Sequence, residues 1–357
     1  MAHGRGGSDR LIMPRVPSRD IIVIGGSAGA LAPLREIVRQ LPSTLPVALF
    51  VVVHTAPDSR GVLAQILDKA SPLTAELATD GDAIRGGRIY VAPPDHHLLV
   101  ESGYMRVTRG PRENGFRPAV DPLFRTAAAA YGSRVVGIIL SGAQDDGVLG
   151  LRHIKERDGL AIVQDPAEAD TPSMPESAMR QVAVDHVLTA ADIGSAIARL
   201  AQVPAGRETR TVKDTAPDIA EEGVPHAARF TPSGPPSPFT CPDCGGSLWE
   251  LRDGNLVRYE CRVGHGFNVQ SLVAAHADGL ETALWSAVRA LEESAALRHR
   301  MAEHARERGM TAIADRYAEH AAEAEARAQS VRRILVAEGR ADRPAGSPEP
   351  ENVGDKK

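Results

Sequence analysis

The chain has 357 residues, a length that fits about two domains of ordinary size. Its net charge of −5 argues against a general nucleic-acid binder, and its aromatic content of 4% argues against a stacking platform for single strands. The sequence has no apolar run of about 18 residues, and its first residues lack the apolar core of a secretory signal. We therefore expect a cytoplasmic protein with no membrane insertion and no nucleic-acid partner.

The first part of the chain predicts an α/β domain. Residues 1–20 are polar and predict a flexible N-terminus, whereas residues 21–201 alternate short apolar segments with amphipathic ones. Most of the predicted strands are apolar on both faces, so we expect a doubly wound, mostly parallel sheet with helices on both faces. The strands are predicted at 21–24, 47–53, 88–92, 135–140, 160–164 and 186–188, a hairpin at 97–108, and helices at 30–41, 121–131, 147–157, 175–182 and 192–200.

The composition changes after residue 201. Residues 202–240 are rich in Pro, Gly and Thr and predict a linker. Residues 241–275 hold all three cysteines, and residues 278–338 have the Ala, Glu and Arg content of a helical hairpin broken near Gly309. Residues 339–357 predict a disordered tail.

The turn after the first strand reads Gly25-Gly26-Ser27-Ala28-Gly29. A dinucleotide-binding turn would need glycine where Ser27 stands, and an acidic residue after the second strand where His54 stands. A nucleophile elbow, G-x-S-x-G between a strand and a helix, fits the segment better. On its own this short motif is weak, because Gly- and Ser-rich turns are common at such positions.

Two further residues strengthen the elbow interpretation. His54 directly follows the second strand, and Asp145-Asp146 follows the strand at 135–140. The carboxyl ends of parallel strands meet at one edge, so a serine, a histidine and an aspartate should converge there. Taken singly, His54 would be a structural histidine and Asp146 a helix N-cap. Spacing alone does not choose between Asp145 and Asp146.

Residues 21–201 resemble the catalytic domain of the bacterial chemotaxis protein-glutamate methylesterases, the CheB family. The matching segments are 24–29 around the serine, His54, 90–95, 117–124, 142–147 and 174–175. The resemblance implies a serine esterase that hydrolyses glutamate methyl esters on chemoreceptor helices, and it allows deamidation of receptor glutamines. It also implies that Ser27 is the nucleophile, His54 the base and Asp146 the residue that orients the base. It implies no cofactor for catalysis, and it makes the backbone N–H groups near Ala28 and Ala143 candidates for an oxyanion hole.

The sequence departs from the family pattern near the site. The family commonly has Thr at Ala28, Gly at Ala30, Met at Thr55, and Met-Gly at Ala143-Gln144. Residues 1–20 are too few for the family's usual phospho-receiver domain, so we do not expect release by phosphorylation within this chain. The sequence leaves open whether Arg117 positions substrate or forms a surface salt bridge, and it favours a structural role for His96-His97.

The cysteines have the spacing of a metal site. Cys241 and Cys244 form C-x₂-C, Cys261 and His265 form C-x₃-H, and a predicted hairpin separates the two pairs. Cys₃His is a common closed set for structural zinc, so we predict a zinc ribbon with no open position for catalysis. The alternative is three reduced, unliganded cysteines.

The Ala-rich helices at 278–338 have a thin apolar stripe. They could pair in solvent, mediate dimerisation, or dock a helical signalling protein or receptor. Two alternatives to the esterase therefore stay open. The chain could be a catalytically weak signalling scaffold that binds partners through its C-terminal part, or a hydrolase of small esters.

Overall fold

A computed structural model describes residues 18–205 and 234–341. Most of the predicted N-terminus, most of the predicted linker and most of the predicted tail lie outside these residues. The chain divides into two compact units, Met1–Val273 and Ala274–Lys357, and each is described below by itself.

A seven-stranded parallel sheet forms the centre of the first unit, and an antiparallel hairpin packs beside it. The strand order in the sheet is β3-β4-β2-β1-β7-β8-β9, and β5-β6 is the hairpin. The strands are β1 (Ile21–Gly26), β2 (Ala48–Val53), β3 (Thr74–Leu77), β4 (Arg88–Val91), β5 (His97–Val100), β6 (Met105–Thr108), β7 (Val135–Ile139), β8 (Leu160–Gln164) and β9 (His186–Leu188).

Helices cover both faces of the sheet. They are α1 (Leu31–Arg39), α2 (Val62–Ala70), α3 (Val120–Tyr131), α4 (Val148–Glu156), α5 (Ser173–Gln181) and α6 (Ala190–Leu200). One core joins α1, α2 and α6 to the sheet, and the other joins α3, α4, α5 and the hairpin. Strand β1 serves both, with Ile22 and Ile24 in the first core and Ile21 and Val23 in the second. The predicted doubly wound fold is confirmed.

The direction of the chain reverses beside β1. Strands β2, β4 and β3 extend to one side of β1, and β7, β8 and β9 extend to the other. In sheets of this kind the carboxyl ends of the strands at such a switch point border a crevice. The turns after β1, β2 and β7 therefore meet at one place.

The cysteine segment folds as a four-stranded antiparallel sheet within the first unit. Its order is β10-β11-β12-β13, with β10 (Pro236–Thr240), β11 (Ser247–Asp253), β12 (Leu256–Cys261) and β13 (Gly266–Asn268). The predicted hairpin is β11-β12. Strand β10 occupies the end of the predicted linker, and β13 was not predicted.

The second unit contains most of α7 (Val269–Glu307) and α8 (Thr311–Ala341), separated near Gly309 as predicted. His299 pairs with Glu325, and Glu292 pairs with Arg332, so the two helices run antiparallel. Small residues fill their contact: Ala295, Ala302, Ala314, Ala321, Ala324 and Ala328 are buried. The predicted stripe is buried only in part, because Leu280 and Ile313 are exposed. Among the described helices, none is both long and apolar enough to cross a membrane.

Two leucines of α1 provide a matched test of the core. Leu34 is fully buried, whereas Leu31, one turn earlier, is 41% exposed. We expect Leu34→Ala to lower the free energy of unfolding by about 2–5 kcal/mol, because a cavity replaces packed methyl groups. Leu31→Ala should change it by less than about 0.5 kcal/mol. Urea unfolding followed by circular dichroism measures both, and equal losses would contradict the packing described for α1.

Candidate functional site

The turn between β1 and α1 is held in one conformation by glycine. The Ser27 N–H donates to the Ser141 carbonyl at 2.9 Å. Gly29 has a φ of +78°, and a Cβ there would lie 2.6 Å from the Ser141 hydroxyl. A Cβ on Gly142 would lie 2.9 Å from the Cβ of Ser27 and 2.1 Å from the Met174 sulfur. These close approaches require glycine and leave the Ser27 side chain partly exposed at the sheet edge.

His54 meets Ser27 from the neighbouring strand. Its N–H donates to the Gly26 carbonyl at 3.2 Å, which continues the β1-β2 ladder by one residue. Nδ1 of His54 lies 3.0 Å from Oγ of Ser27. The Phe116 ring stacks on the imidazole, with 3.6 Å between ring centroids and 11° between planes. The ring therefore fixes the imidazole plane and covers one of its faces.

Asp146 lies at the other end of the imidazole. Its Oδ2 is 2.8 Å from Nε2 of His54 and accepts the Val120 N–H at 2.7 Å. Its Oδ1 accepts from the Asn114 side-chain amide at 2.8 Å and from the Asp121 N–H at 3.2 Å. Burial favours the neutral acid, but the hydrogen bonds and the charge of His54, with those donors, hold the pKa of Asp146 below its ordinary value.

Asp121 is a buried acid beside Asp146, and the Asp-Pro pair at the start of the helix predicted from residue 121 does not make it the N-cap. Helix α3 begins at Val120, and its N-cap position is Ala119. The Asp121 carboxylate instead accepts the Gly150 N–H at 2.7 Å and the Asn114 side-chain amide at 3.0 Å. Burial and the nearby Asp146 raise the pKa of Asp121 to about 7. Asn114 therefore donates to two neighbouring carboxyl groups at once.

The three side chains form an ordered chain of contacts suited to proton transfer. With Nε2–H donated to Asp146, Nδ1 of His54 is free to accept the proton of the Ser27 hydroxyl. Ala28 follows Ser27 in the chain, and Ala143 follows Gly142, whose Cβ position would lie 2.9 Å from the Cβ of Ser27. Within 18–205 and 234–341, neither the Ala28 N–H nor the Ala143 N–H has a backbone acceptor. Such amides can donate to an oxygen that gains charge during a reaction.

An open cleft of about 490 Å³ leads to these groups. Its lining includes Ser27, Ala28, His54, Thr55, Ala56, Pro57, Arg112, Gly115, Phe116 and Arg117. The role of Arg117 was left open by the sequence. Its Nε and Nη2 donate to Asp95, and its Nη1 donates to the Gly110 carbonyl at 2.7 Å. Arg117 thus braces the rim of the cleft through a salt bridge.

The neighbouring His97 is structural, as the sequence favoured. It is buried, and burial lowers its pKa, so the ring is neutral. Nε2 donates to the Pro111 carbonyl at 2.9 Å, and Nδ1 accepts the Ala119 N–H at 3.3 Å. His97 therefore ties together the two ends of the loop that carries Phe116.

The four predicted metal ligands lie together in the four-stranded sheet of residues 236–268, which we call the cysteine module. The ligand atoms of Cys241, Cys244, Cys261 and His265 all lie within 4.8 Å of one another. Nδ1 of His265 is 3.6 Å from Sγ of Cys241 and 3.5 Å from Sγ of Cys261, and the sulfurs of Cys244 and Cys261 are 3.7 Å apart. Burial lowers the pKa of His265, which keeps its imidazole neutral and able to bind a cation. The cluster can hold a metal ion.

Sequence reasoning missed Phe116 and Asn114. Both lie in a loop with no regular pattern, between β6 and α3, and each acts on a residue far away in the chain. The only signal was proximity to the matched segment at 117–124.

Comparisons with known proteins agree with this architecture. The family model described as CheB methylesterase matches residues 22–197. A Leptospira interrogans protein named "Putative protein-glutamate methylesterase/protein-glutamine glutaminase" is 39% identical over 51% of this chain and 95% of its own length. An Anaeromyxobacter dehalogenans protein-glutamate methylesterase/protein-glutamine glutaminase is 40% identical over 49% of this chain and 52% of its own length. The crystal structure of the Thermotoga maritima CheB methylesterase catalytic domain superposes with a TM-score of 0.50 at 33% identity, over 51% of this chain and 98% of that one.

The loop that carries Phe116 is anchored by a buried ion pair. Both guanidinium nitrogens Nη1 and Nη2 of Arg125 donate to the Glu113 carboxylate at 2.8 Å. The side chain of Arg125 is 3% exposed and that of Glu113 is 19% exposed. Burial opposes ionisation of Glu113, but the charge and hydrogen bonds of Arg125 prevail and lower the pKa of Glu113 to about 2.

We expect Glu113→Gln to lower the free energy of unfolding by roughly 3 kcal/mol, because it leaves the buried Arg125 without its counter-charge. The matched control is Glu76→Gln, which breaks the exposed pair with Arg88 and should cost under about 1 kcal/mol. The pKa of Glu113 is lowered, so its contribution is full above about pH 4.5 and is lost as pH falls toward 2. Chemical denaturation should show the same loss of unfolding free energy in Glu113→Gln at pH 7 and pH 5.5, and a smaller loss at pH 4. A larger loss of unfolding free energy at pH 4 than at pH 7 would contradict this account.

Proposed function

The chain belongs to the CheB methylesterase family, and from this premise we propose that it hydrolyses glutamate methyl esters of chemoreceptors to glutamate and methanol. The observation that carries the proposal is the unbroken hydrogen-bonded series from Ser27 through His54 to the buried Asp146. The proposed partner is a methylated receptor helix, whose esterified side chain enters the open cleft at Ser27.

Acylation starts at the serine. Nδ1 of His54 accepts the Oγ proton as Oγ attacks the ester carbonyl carbon, and the carbonyl oxygen becomes an oxyanion. The N–H groups of Ala28 and Ala143 donate to that oxygen. Asp146 stabilises the imidazolium through Nε2–H, and Phe116 limits the access of water to the ring. When the intermediate collapses, the C–O bond to the methoxy group breaks and His54 returns the proton to release methanol.

Deacylation repeats the same steps with water. His54 takes a proton from the water that attacks the glutamyl-Ser27 ester, and the proton then passes to Oγ as the acyl bond breaks. The product is a free glutamate and the regenerated hydroxyl. A glutamine side chain passes through the same acyl-enzyme with ammonia as the leaving group, and this supports a deamidase activity at the same site.

We also propose that the cysteine module holds structural zinc. Zn–S bonds of about 2.3 Å and Zn–N bonds of about 2.0–2.1 Å in a tetrahedron separate two sulfurs by about 3.8 Å, and a sulfur from a nitrogen by about 3.6 Å. The sulfurs of Cys244 and Cys261 are 3.7 Å apart, Nδ1 of His265 lies 3.5 and 3.6 Å from two of the sulfurs, and all four ligand atoms lie within 4.8 Å of one another. Cys241, Cys244, Cys261 and His265 would fill four positions, so the metal would stabilise the fold of the module and take no part in ester hydrolysis.

The triad is tested by methanol release from methylated receptor membranes. We expect Ser27→Ala and His54→Ala to lose roughly 10⁴-fold or more in rate, as in other serine hydrolases. A fluorophosphonate should label the wild type at Ser27 and should label His54→Ala far more slowly, because the hydroxyl loses its base. The matched controls are Ser102→Ala, in the exposed β5-β6 turn, and His186→Ala on the exposed edge strand β9.

The combination of readouts separates the proposed activity from its alternatives. Labelling without methanol release would indicate a hydrolase of other esters. The absence of both in the wild type would indicate a scaffold that binds partners through its C-terminal part. Either outcome would overturn the methylesterase proposal.

The metal site is tested by elemental analysis. We expect one zinc per chain, and we expect Cys241→Ser to lose most of it because one of four ligands is removed. Asp243→Ser changes the neighbouring residue between the two ligands and should keep the metal. Full occupancy in Cys241→Ser would contradict the assignment.

A further inference from the structure

The cysteine module lies against the loop that carries Phe116. The Asn114 N–H donates to the Gly266 carbonyl at 2.7 Å, and the Gly266 N–H donates to the Arg112 carbonyl at 3.2 Å. Residue Glu113 thereby pairs with Gly266 as in a parallel sheet. Strand β13 thus continues its own antiparallel sheet onto residues 112–114 of the esterase domain. The family match ends at residue 197, so this contact is made by a part of the chain outside it.

Asn268, at the end of β13, orients the side chain of Asn114. The Asn268 N–H donates to the Asn114 Oδ1 at 2.7 Å. Because that oxygen is engaged, the Asn114 NH₂ group must point the other way, toward Asp146 Oδ1 at 2.8 Å and Asp121 Oδ2 at 3.0 Å. A rotated Asn114 amide would place its oxygen against two carboxyl groups and would be repelled.

The Asn268 side chain reaches one of these two acids, Asp121, directly. Its Nδ2 donates to Asp121 Oδ2 at 3.0 Å and to the Asp145 carbonyl at 3.2 Å. The next residues hold Asp145 itself, whose carboxylate accepts the Ser271 hydroxyl at 2.7 Å and the Ser271 N–H at 3.2 Å. Asp121 and Asp145, the two acids nearest to Asp146, are therefore held by the end of β13 and the start of α7.

The metal ligands lie next to this strand in the chain. The Cys261 N–H donates to the His265 carbonyl at 3.0 Å, which closes the turn between β12 and β13. Asn268 follows the ligand His265 by one short strand and faces Arg258 in the β12-β13 ladder. A cation at the cluster would tie this turn to the Cys241–Cys244 turn and so fix the position at which β13 begins.

We propose that the cysteine module is part of the esterase active site, and that Asn268 is a positioning residue that holds Asp146 in place through Asn114. Asn268 touches neither substrate nor the reacting atoms. The backbone N–H of Asn268 fixes the Asn114 oxygen, and the Asn268 side-chain NH₂ group satisfies Asp121. Loss of that NH₂ group leaves Asp121 to draw the Asn114 amide away from Asp146, and Asp146 then orients the imidazole less accurately. This inference rests on the proposed esterase function and adds a part of the chain outside the family match to its machinery.

A matched pair of asparagines tests the proposal in the full zinc-loaded chain. Asn255 also belongs to the module and also faces the esterase domain, where it accepts a hydrogen bond from Arg152 at 2.8 Å, but it does not touch the three aspartates. We expect Asn268→Ala to lower kcat for methanol release roughly 10- to 100-fold with little change in KM, since misorientation acts on the chemical step. Asn255→Ala should keep both constants near wild type.

A double-mutant cycle distinguishes positioning from general loosening of the module. If Asn268 acts through Asn114, the double variant Asn114→Ala/Asn268→Ala should lose no more kcat than Asn114→Ala alone. Additive losses, or equal kcat in Asn268→Ala and Asn255→Ala, would overturn the proposal. The zinc content of each variant, measured in parallel, should stay at wild type.

Hydrogen exchange supplies a readout that needs no activity. Removal of zinc by a chelator should raise the exchange of the amides of Asn114, Val120 and Asp121, while residues 135–139 in the centre of the sheet should keep their protection. Unchanged exchange at 112–121 in the metal-stripped chain would overturn the link between the module and the triad. Failure of the proposed function itself would appear differently, as a wild type that releases no methanol while this exchange pattern persists.

Discussion

A carboxylate removed from water needs hydrogen-bond donors for its lone pairs, and the residues around the site supply those donors to Asp146. An isolated buried charge is so costly that it would otherwise take up a proton, and a neutral acid could not stabilise an imidazolium. Four donors prevent this: one from His54, two from the first residues of α3, and one from Asn114. The start of α3, the loop before it and the turn after β7 must all be in place for the acid to stay charged.

The same need extends outward from Asp146. Its donor Asn114 has a single oxygen that must also be satisfied, and Asp121 beside it is a second buried acid that competes for the same amide. Each buried polar group in this series therefore needs a further hydrogen-bond partner, and the series ends in the cysteine module at Asn268. A site of three side chains thus depends on contacts with a segment more than a hundred positions away in the sequence.

The sequence was sufficient to predict the elements that have a clear local pattern of apolar residues. Apolar strands such as Ile21–Gly26 and Ala48–Val53, each followed by a polar residue, predicted both the parallel sheet and the meeting of Ser27 with His54. Helix α2 and the edge strand β3 were missed, because β3 buries only Ala75 of its four residues and has no apolar alternation. Asp121 was misjudged because Asp-Pro is typical of a helix start, whereas its burial beside Asp146 is set by tertiary packing. The stacking of Phe116 on His54 and the bonds of Asn268 join distant segments, and no local pattern encodes them.

The order of the strands also determines which nitrogen of His54 faces Ser27 and which faces Asp146. His54 extends from β2, Ser27 stands at the end of the adjacent β1, and Asp146 arrives from β7 on the far side of β1. Adjacent strands are about 4.8 Å apart, so the nitrogen close to the backbone spans one interval and the distal nitrogen spans two. In chymotrypsin-like enzymes the distal nitrogen faces the serine, whereas here it is Nδ1. The order of the three strands thus selects Nδ1 as the nitrogen that His54 turns toward the serine.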